Sequence, residues 1–535
     1  MKPVFMGVLT ALSMAVAALA TQQYATAIEA VPAVPVVAAA SCESLSGQTL
    51  SDTTITSAAS VAANAFRAPD TAAAAAPMRT PAFCRVAATT KPAVRFEAWL
   101  PEQNWNGKFQ GVGNGGTAGV IPYAAMATAL NRGYAVVGTD TGHVNARGFD
   151  ATWALNRPDL VADFGHRGLH VSTVNAKAIA LAFYGKAPEH SYYVGCSKGG
   201  QQGLMEAQRY PEDYDGLIAG DPANNWTRFY AGGHLWYSIA TMKDPESYIP
   251  AAKVAILASA VNEACDATDG VRDGVLNDPR TCRFDPAVLT CKSGQDPGAC
   301  YTPKQVKAIK DIWAGASTSS GELVYPGLAP GGEAGTGGWA SWTTGTAPFT
   351  GSHWLAAEGF FKYMVFNDPS WDFRSFNYDT DVTKSLDIVA AAVDATNADL
   401  RPLRDRGGKL IVYHGWSDPD ISPFNSIKYY EDVVTTVNGE APRQQALADT
   451  QKFFRLFMVP GMQHCSGGPG ASSFDMLAAL ERWVEQGTAP EQILASHLTA
   501  GVADRTRPLC VYPQVVQYKG NGSTDDAANF VCRVP

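Results

Sequence analysis

The sequence predicts an α/β fold whose mostly parallel sheet is interrupted by a large insertion. Short β-branched and aromatic runs alternate with helical patterns along most of the chain, which implies a parallel sheet covered on both faces. That alternation breaks between about Pro222 and Leu400, where the chain turns Gly- and Trp-rich and carries Cys265, Cys282, Cys291 and Cys300. A structureless insert of that length is implausible inside one compact domain, so it is read as a lid. The core then has an N-terminal part over 42–222 and a C-terminal part over 401–535, with the lid over 223–400.

In chain order, strands are expected over Val94–Leu100, Lys108–Val112, Tyr134–Asp140, Ser191–Gly195, Asp215–Ala219, Lys409–His414 and Arg455–Val459. Helical periodicity falls on Ser172–Tyr184, Gly199–Arg209 and Ser473–Gln486. The last of these places Met476, Leu480, Trp483 and Val484 on one face. No repeat of fixed period is visible, which argues against a solenoid or propeller.

The N-terminus says where the chain is expected to act. Lys2 precedes an apolar run from Val4 to Ala20, with Ala-x-Ala-like exits that include Ala25-Thr26-Ala27. This is the pattern of a cleaved secretory signal over 1–27, followed by an Ala-, Val- and Pro-rich linker over 28–41. A secreted or periplasmic protein with no membrane segment after cleavage is the expectation. Ten cysteines, an even number, fit five disulfides in an oxidising compartment. Lipidation of Cys42 would leave an odd cysteine, so pairing is preferred. A net charge of −9 argues against a nucleic-acid or polyphosphate partner, which would need a basic face.

The chemistry is carried by Gly195-Cys196-Ser197-Lys198-Gly199. A β-rich run leads into this G-x-S-x-G pattern and an amphipathic run leaves it, as a strand-to-helix nucleophile elbow requires. Glycine is needed at both flanks because a side chain there would strike the sheet or the helix. The bland alternative is a glycine-rich turn with a solvated serine. This placement makes the α/β-hydrolase core the specific fold expected, with Ser197 as nucleophile. In that architecture the acid and then the histidine follow the serine along the chain. His464 lies just past the strand Arg455–Val459, whereas His497 reads as a surface or packing histidine. Asp418 is the first carboxylate after Lys409–His414, and Asp420 is its competitor. His414 reads as a satisfied strand-end residue. A Cys196–Cys465 bridge would tether the nucleophile turn to the base loop. Oxyanion donors are expected at the Lys198 amide and in the loop Gly113-Asn114-Gly115-Gly116-Thr117.

Between Cys265 and Val275, three carboxylates stand among turn-forming glycines. Hard oxygen donors suit Ca²⁺, yet Thr268 stands at the third position and no terminal Glu follows, so this is no EF-hand. On spacing alone, ordinary Asp-Gly surface turns remain the stronger reading.

Three segments together resemble the tannase/feruloyl esterase family: Gly195-Cys196-Ser197-Lys198-Gly199-Gly200, His414-Gly415-Trp416-Ser417-Asp418, and Gly461-Met462-Gln463-His464-Cys465-Ser466-Gly467-Gly468-Pro469-Gly470. The resemblance extends to Arg505-Thr506-Arg507-Pro508-Leu509-Cys510. It implies a serine carboxylic-ester hydrolase with a large lid and a Cys196–Cys465 bridge. The remaining bridges it implies are Cys42–Cys84, Cys265–Cys282, Cys291–Cys300 and Cys510–Cys532. It also implies a structural Ca²⁺ held by Asp266, Asp269 and Asp273 and by the carbonyls of Val271 and Val275, with no organic cofactor. It aligns Gly116 with the oxyanion glycine. Substrates implied are esters of galloyl, feruloyl, caffeoyl or p-coumaroyl groups, free or attached to plant polysaccharide or polyphenol. One branch of the family acts on terephthalate monoesters. The competing classes are a non-catalytic phenolic- or carbohydrate-binding protein and a serine peptidase on the same scaffold.

Overall fold

A computed structural model describes residues 39–69, 76–145 and 148–535. The signal segment and nearly all of the linker lie outside the described residues. Nine strands form the main sheet: β1 (Thr53–Val61), β2 (Phe83–Thr90), β3 (Val94–Pro101), β4 (Lys108–Val112), β5 (Ala135–Thr139), β6 (His190–Cys196) and β7 (Gly216–Gly220) precede the insertion. Two more, which we number β10 (Lys409–Gly415) and β11 (Phe454–Val459), follow it. Inside the insertion, β8 (Gly315–Ser317) and β9 (Leu323–Pro326) pair only with each other, and β12 to β15 follow β11.

The sheet order is β1-β2-β3-β5-β4-β6-β7-β10-β11. From β5 to β11 every neighbouring pair is parallel, and β1, β2 and β3 complete one edge by antiparallel pairing. Of that edge β3 was expected, and β1 and β2 were not. In β1, Thr53–Val61, small and hydroxylated residues dominate and no position is buried, so hydrophobic alternation gives no signal there. Each strand expected from the sequence is present within a residue or two of its expected ends.

The central strands read as continuous apolar runs because both faces are covered. Tyr193, Leu217, Leu410, Val412 and Leu456 enter one core cluster. Their neighbours Tyr192, Ile218, Ile411 and Phe457 enter the other, as the two-residue repeat of a strand demands. The helix Met476–Gln486 buries Met476, Leu477, Leu480 and Trp483 against that second face.

The segment between β7 and β10 adds no strand to the main sheet; it has one apolar cluster of its own, around Leu257, Ile309 and Trp339, and shares another, around Phe229, Tyr230 and Phe360, with core residues such as Val161 and Phe164. Past β11 the chain forms two hairpins, β12 (Gln492–Thr499) with β13 (Val502–Cys510) and β14 (Val515–Tyr518) with β15 (Phe530–Arg533). All ten cysteines are paired, as Cys42–Cys84, Cys196–Cys465, Cys265–Cys282, Cys291–Cys300 and Cys510–Cys532. Among the described residues no helix is long and apolar enough to cross a membrane.

Candidate active site

In an open parallel sheet the loops leaving the carboxyl ends of neighbouring strands meet over one edge, where ligands bind. Here β4, β6, β7, β10 and β11 deliver Gly116, Ser197, Asp221, Asp418 and His464 to that edge. Ser197 follows β6 at φ 63° and ψ −120°, outside the region most side chains tolerate, and the helix Lys198–Arg209 starts at the next residue. Two bonds hold this turn: the Ser197 amide donates to the Gly220 carbonyl (3.0 Å), and the Gln201 amide donates to the Ser197 carbonyl (3.0 Å). A Cβ at Gly195 would lie 2.5 Å from the Gly199 carbonyl oxygen, and one at Gly199 would lie 3.1 Å from Gly113 Cα. The motif's glycines therefore answer to the close approach of strand, helix and the loop after β4.

The Cys196–Cys465 bridge joins the residue before Ser197 to the residue after His464, with Cα atoms 5.9 Å apart across 269 positions of sequence. It brings the base loop beside the nucleophile turn. His464 Nδ1 lies 2.9 Å from Asp418 Oδ2. Asp418 is fully buried, and its Oδ1 accepts from the amides of Asp420 (2.8 Å) and Ile421 (3.1 Å), which fixes the carboxylate. Asp420 sits on the other side of the ring, its Oδ2 3.4 Å from His464 Nε2. The two acids are thus told apart by which ring nitrogen they face. Burial by itself depresses the His464 imidazole, but the charges of Asp418 and Asp420, the Asp418 hydrogen bond and the charge of Asp221 outweigh it and lift it to about 10. Burial would raise Asp418, yet His464 and His414 hold it below the usual carboxylate range.

Residues that sequence reasoning passed over complete the surroundings. His234 and His353, both from the insertion, approach Asp420 Oδ1 at 2.7 Å and 3.3 Å and join the insertion to the acid loop. Trp342 stands edge-on to His464 with ring centroids 5.2 Å apart, so the insertion brings an aromatic side chain against the imidazole. His414 is buried, with Nδ1 2.7 Å from Ser426 Oγ and Nε2 3.0 Å from the Ile421 carbonyl. His497 pairs with Asp504 in the β12–β13 hairpin, away from the sheet's carboxyl edge.

Of the two positions expected to serve an oxyanion, Lys198 is the first residue of the elbow helix, where amides have no helical partner. Its side chain is buried against Phe164 and Trp226. Gly116 has φ 54°, and a Cβ there would lie 2.4 Å from the Gly148 carbonyl oxygen. The loop that carries it is held to the elbow helix by Gln202, whose Oε1 accepts from the Asn114 amide (2.9 Å) and whose Nε2 donates to Asn114 Oδ1 (3.0 Å). Side-chain amides that clamp a loop leave no motif in a single sequence.

In the Cys265–Val275 loop, Asp266 Oδ1 accepts from the Gly274 amide (3.0 Å), Asp269 Oδ1 from the Val271 amide (3.0 Å) and Asp273 Oδ1 from the Val275 amide (3.2 Å). Burial, with added repulsion from Asp273 and Asp266, raises Asp269 to about 6 despite its backbone hydrogen bonds. Carboxylate and carbonyl oxygens are the donors a hard divalent cation takes, but Asp266, Asp269 and Asp273 are not among the described groups whose ligand atoms all lie within 4.8 Å of one another. Asp273 is shared, because its Oδ2 meets Arg507 Nη2 (2.6 Å) and Arg505 Nη1 (3.2 Å) from β13.

The model for tannase and feruloyl esterase matches residues 78–533. An esterase of Xanthomonas campestris pv. campestris is 42% identical, covering 92% of this chain and 91% of its own. The mono(2-hydroxyethyl) terephthalate hydrolase of Piscinibacter sakaiensis is 35% identical, with coverage of 83% and 82%. The crystal structure of feruloyl esterase B from Aspergillus oryzae superposes with a TM-score of 0.82 at 30% identity, over 92% of this chain and 99% of that one. A buried acid–histidine pair bridged to a serine elbow thus coincides with likeness along nearly the whole chain, and the chain belongs to the tannase and feruloyl esterase family of carboxylic ester hydrolases.

Proposed function

We propose that this chain is an exported serine esterase that cleaves esters of phenolic and other aromatic acids. Ser197 Oγ attacks the ester carbonyl while His464 Nε2 takes its proton, and Asp418 holds the ring by Nδ1 and stabilises the imidazolium. The Lys198 and Gly116 amides receive the oxyanion as it forms. Collapse of the tetrahedral intermediate breaks the bond to the alcohol oxygen, and His464 returns its proton to that leaving group. Water then attacks the acyl-enzyme and gives a proton to His464, which passes it to Ser197 Oγ as the acyl–Oγ bond breaks and the acid leaves.

The observation that carries this reading is the 2.9 Å contact of His464 Nδ1 with Asp418, next to a disulfide that flanks both Ser197 and His464. Trp342 against His464 supports an aromatic acid, since a planar acyl group can pack against that ring. The likeness to a terephthalate monoester hydrolase adds such monoesters to the candidates. A Ca²⁺ ion in this reading is structural and would be held by Asp266, Asp269, Asp273 and the Val271 and Val275 carbonyls. The lid and core boundaries stay as set out from the sequence. Five disulfides support export, since such bonds persist in oxidising compartments.

The test is a panel of methyl ferulate, methyl gallate, mono(2-hydroxyethyl) terephthalate and a peptide library. Turnover of aromatic esters and not of peptides is expected, and Ser197→Ala should lower kcat by about four to six orders of magnitude while leaving the fold intact. A folded Ser197→Ala enzyme with near-native turnover removes the mechanism.

A further inference from the structure

We propose that Asp221, a residue outside the triad, is a positioning residue that braces the acid loop and the base loop against the nucleophile turn. The inference rests on the triad reading above. Asp221 follows β7, which lies in the sheet between β6, leading to Ser197, and β10, leading to Asp418. Its side chain is fully buried, and each carboxylate oxygen has a different backbone donor. Oδ1 accepts from the Gly415 amide (2.7 Å), where the acid loop leaves β10. Oδ2 accepts from the Cys465 amide (2.8 Å), the residue after His464. The third tie runs through the main chain: the Asp221 amide donates to the Tyr413 carbonyl (2.8 Å), and the carbonyl of its neighbour Gly220 accepts from the Ser197 amide (3.0 Å).

Backbone strain marks the same place. Asp221 has φ 35°, and Cys465, whose amide donates to it, has φ 63°. Non-glycine residues hold such conformations only where the surroundings over-determine them. Charge-assisted bonds to two amides can do so here, because the carboxylate that accepts them is fully buried. The disulfide alone leaves the base loop free to pivot about its S–S link, and the bond from the Cys465 amide to Asp221 removes that freedom within one residue of His464. A misplacement of about 1 Å at a reacting group can cost on the order of 100-fold in rate. Asp221 also adds negative charge near the base. The titratable groups around His464 are Asp418, Asp420 and Asp221, with His414 against Asp418 and Asp221, and His234 and His353 against Asp420.

Asp221→Asn tests this, because the amide keeps the shape, turns an NH₂ toward one backbone donor and removes the charge. The expected result is a kcat lower by roughly 100-fold with KM nearly unchanged. The acid limb of the pH–kcat profile should also move to lower pH, which a merely structural role would not produce. Asp221→Glu, which retains the charge and displaces the oxygens, should lower kcat and leave the limb in place. A folded Asp221→Asn enzyme with kcat close to wild type and an unmoved limb overturns the proposal. Should neither variant fold, hydrogen exchange on the wild-type enzyme decides. The Gly415 and Cys465 amides should be strongly protected, and exchange as fast as that of exposed Ser466 and Gly467 overturns the bracing. Ser197→Ala measured alongside separates the two readings. Activity retained in Ser197→Ala refutes the triad. An inactive Ser197→Ala with a wild-type-like Asp221→Asn refutes the brace alone.

Discussion

His464 is held between two carboxylates, and the consequence is a pH dependence with a defined sign. An acid beside an imidazole favours its protonated form, so Asp418 and Asp420 keep His464 charged up to about 10 in the ligand-free enzyme. Only the neutral ring can take the serine proton, so kcat/KM should climb with pH well into the alkaline range, and a pH–rate profile reads this directly. Asp420→Asn removes the charge 3.4 Å from Nε2, lowers the imidazole pKa and should shift the acid limb downward. Asp418→Asn should instead cost turnover by about 10⁴, because the ring loses the partner that sets its tautomer. Equal effects from the two substitutions would show that Asp418 is not the orienting acid. The same shift bears on stability: the contribution of charged His464 is complete below about 6.5, the ordinary histidine value, and is lost as pH rises through about 10.

The nucleophile turn and the base loop come from strands far apart in sequence, and the Cys196–Cys465 bridge is the covalent link between them. It closes a loop of 269 positions, which in the chain-entropy account stabilises by up to about 5 kcal/mol. Its position suggests a cost beyond stability. Replacing both cysteines by Ala should lower kcat at temperatures where the variant remains folded. The same replacement of Cys510 and Cys532, which staple β13 to β15, should affect melting and leave kcat near wild type. Comparing kcat and melting temperature for the two double variants checks this, and equal loss of kcat in both would show that the bridge has no special hold on the base.

The insertion meets the core at two places that matter to function. One is the His234–Asp420–His353 contact beside the base. The other is Asp273, whose Oδ2 reaches Arg505 and Arg507 of the C-terminal hairpin while its loop offers oxygen donors to a cation. A cation there would bind the native state and not the unfolded one, so it should act on stability rather than chemistry. At about 100 times its Kd, Ca²⁺ would stabilise by roughly 2.7 kcal/mol, and chelation should lower the melting temperature, reversibly on re-addition. Asp269→Ala should melt at the same temperature with and without Ca²⁺. If metal-stripped wild-type protein also ignores Ca²⁺, the loop is a set of ordinary Asp-Gly turns.

Much of this was legible in the sequence because its physical cause is local. Continuous apolar strands, the periodicity of Met476, Leu480 and Trp483, and the glycines that flank Ser197 each express a constraint within a few residues. The insertion announced itself by breaking that rhythm. The edge strands β1 and β2 gave no such signal, because β1 buries no residue and the alternately buried positions of β2 are Cys84, Val86, Ala88 and Thr90, of which only Val86 is strongly apolar and β-branched. Asp418 and Asp420 stand two residues apart in one loop, and only the folded loop decides which ring nitrogen of His464 each one faces. Asp221, Gln202, His234, His353 and Trp342 have no motif either, since their partners lie on other strands or across the insertion. The sequence by itself determined the central strands, the elbow and the chemical types at the strand ends. The tertiary structure decided which buried carboxylate faces His464 Nδ1 and which accepts from the Gly415 and Cys465 amides, because hydrogen-bond direction and shared burial exist only once distant segments have been brought together.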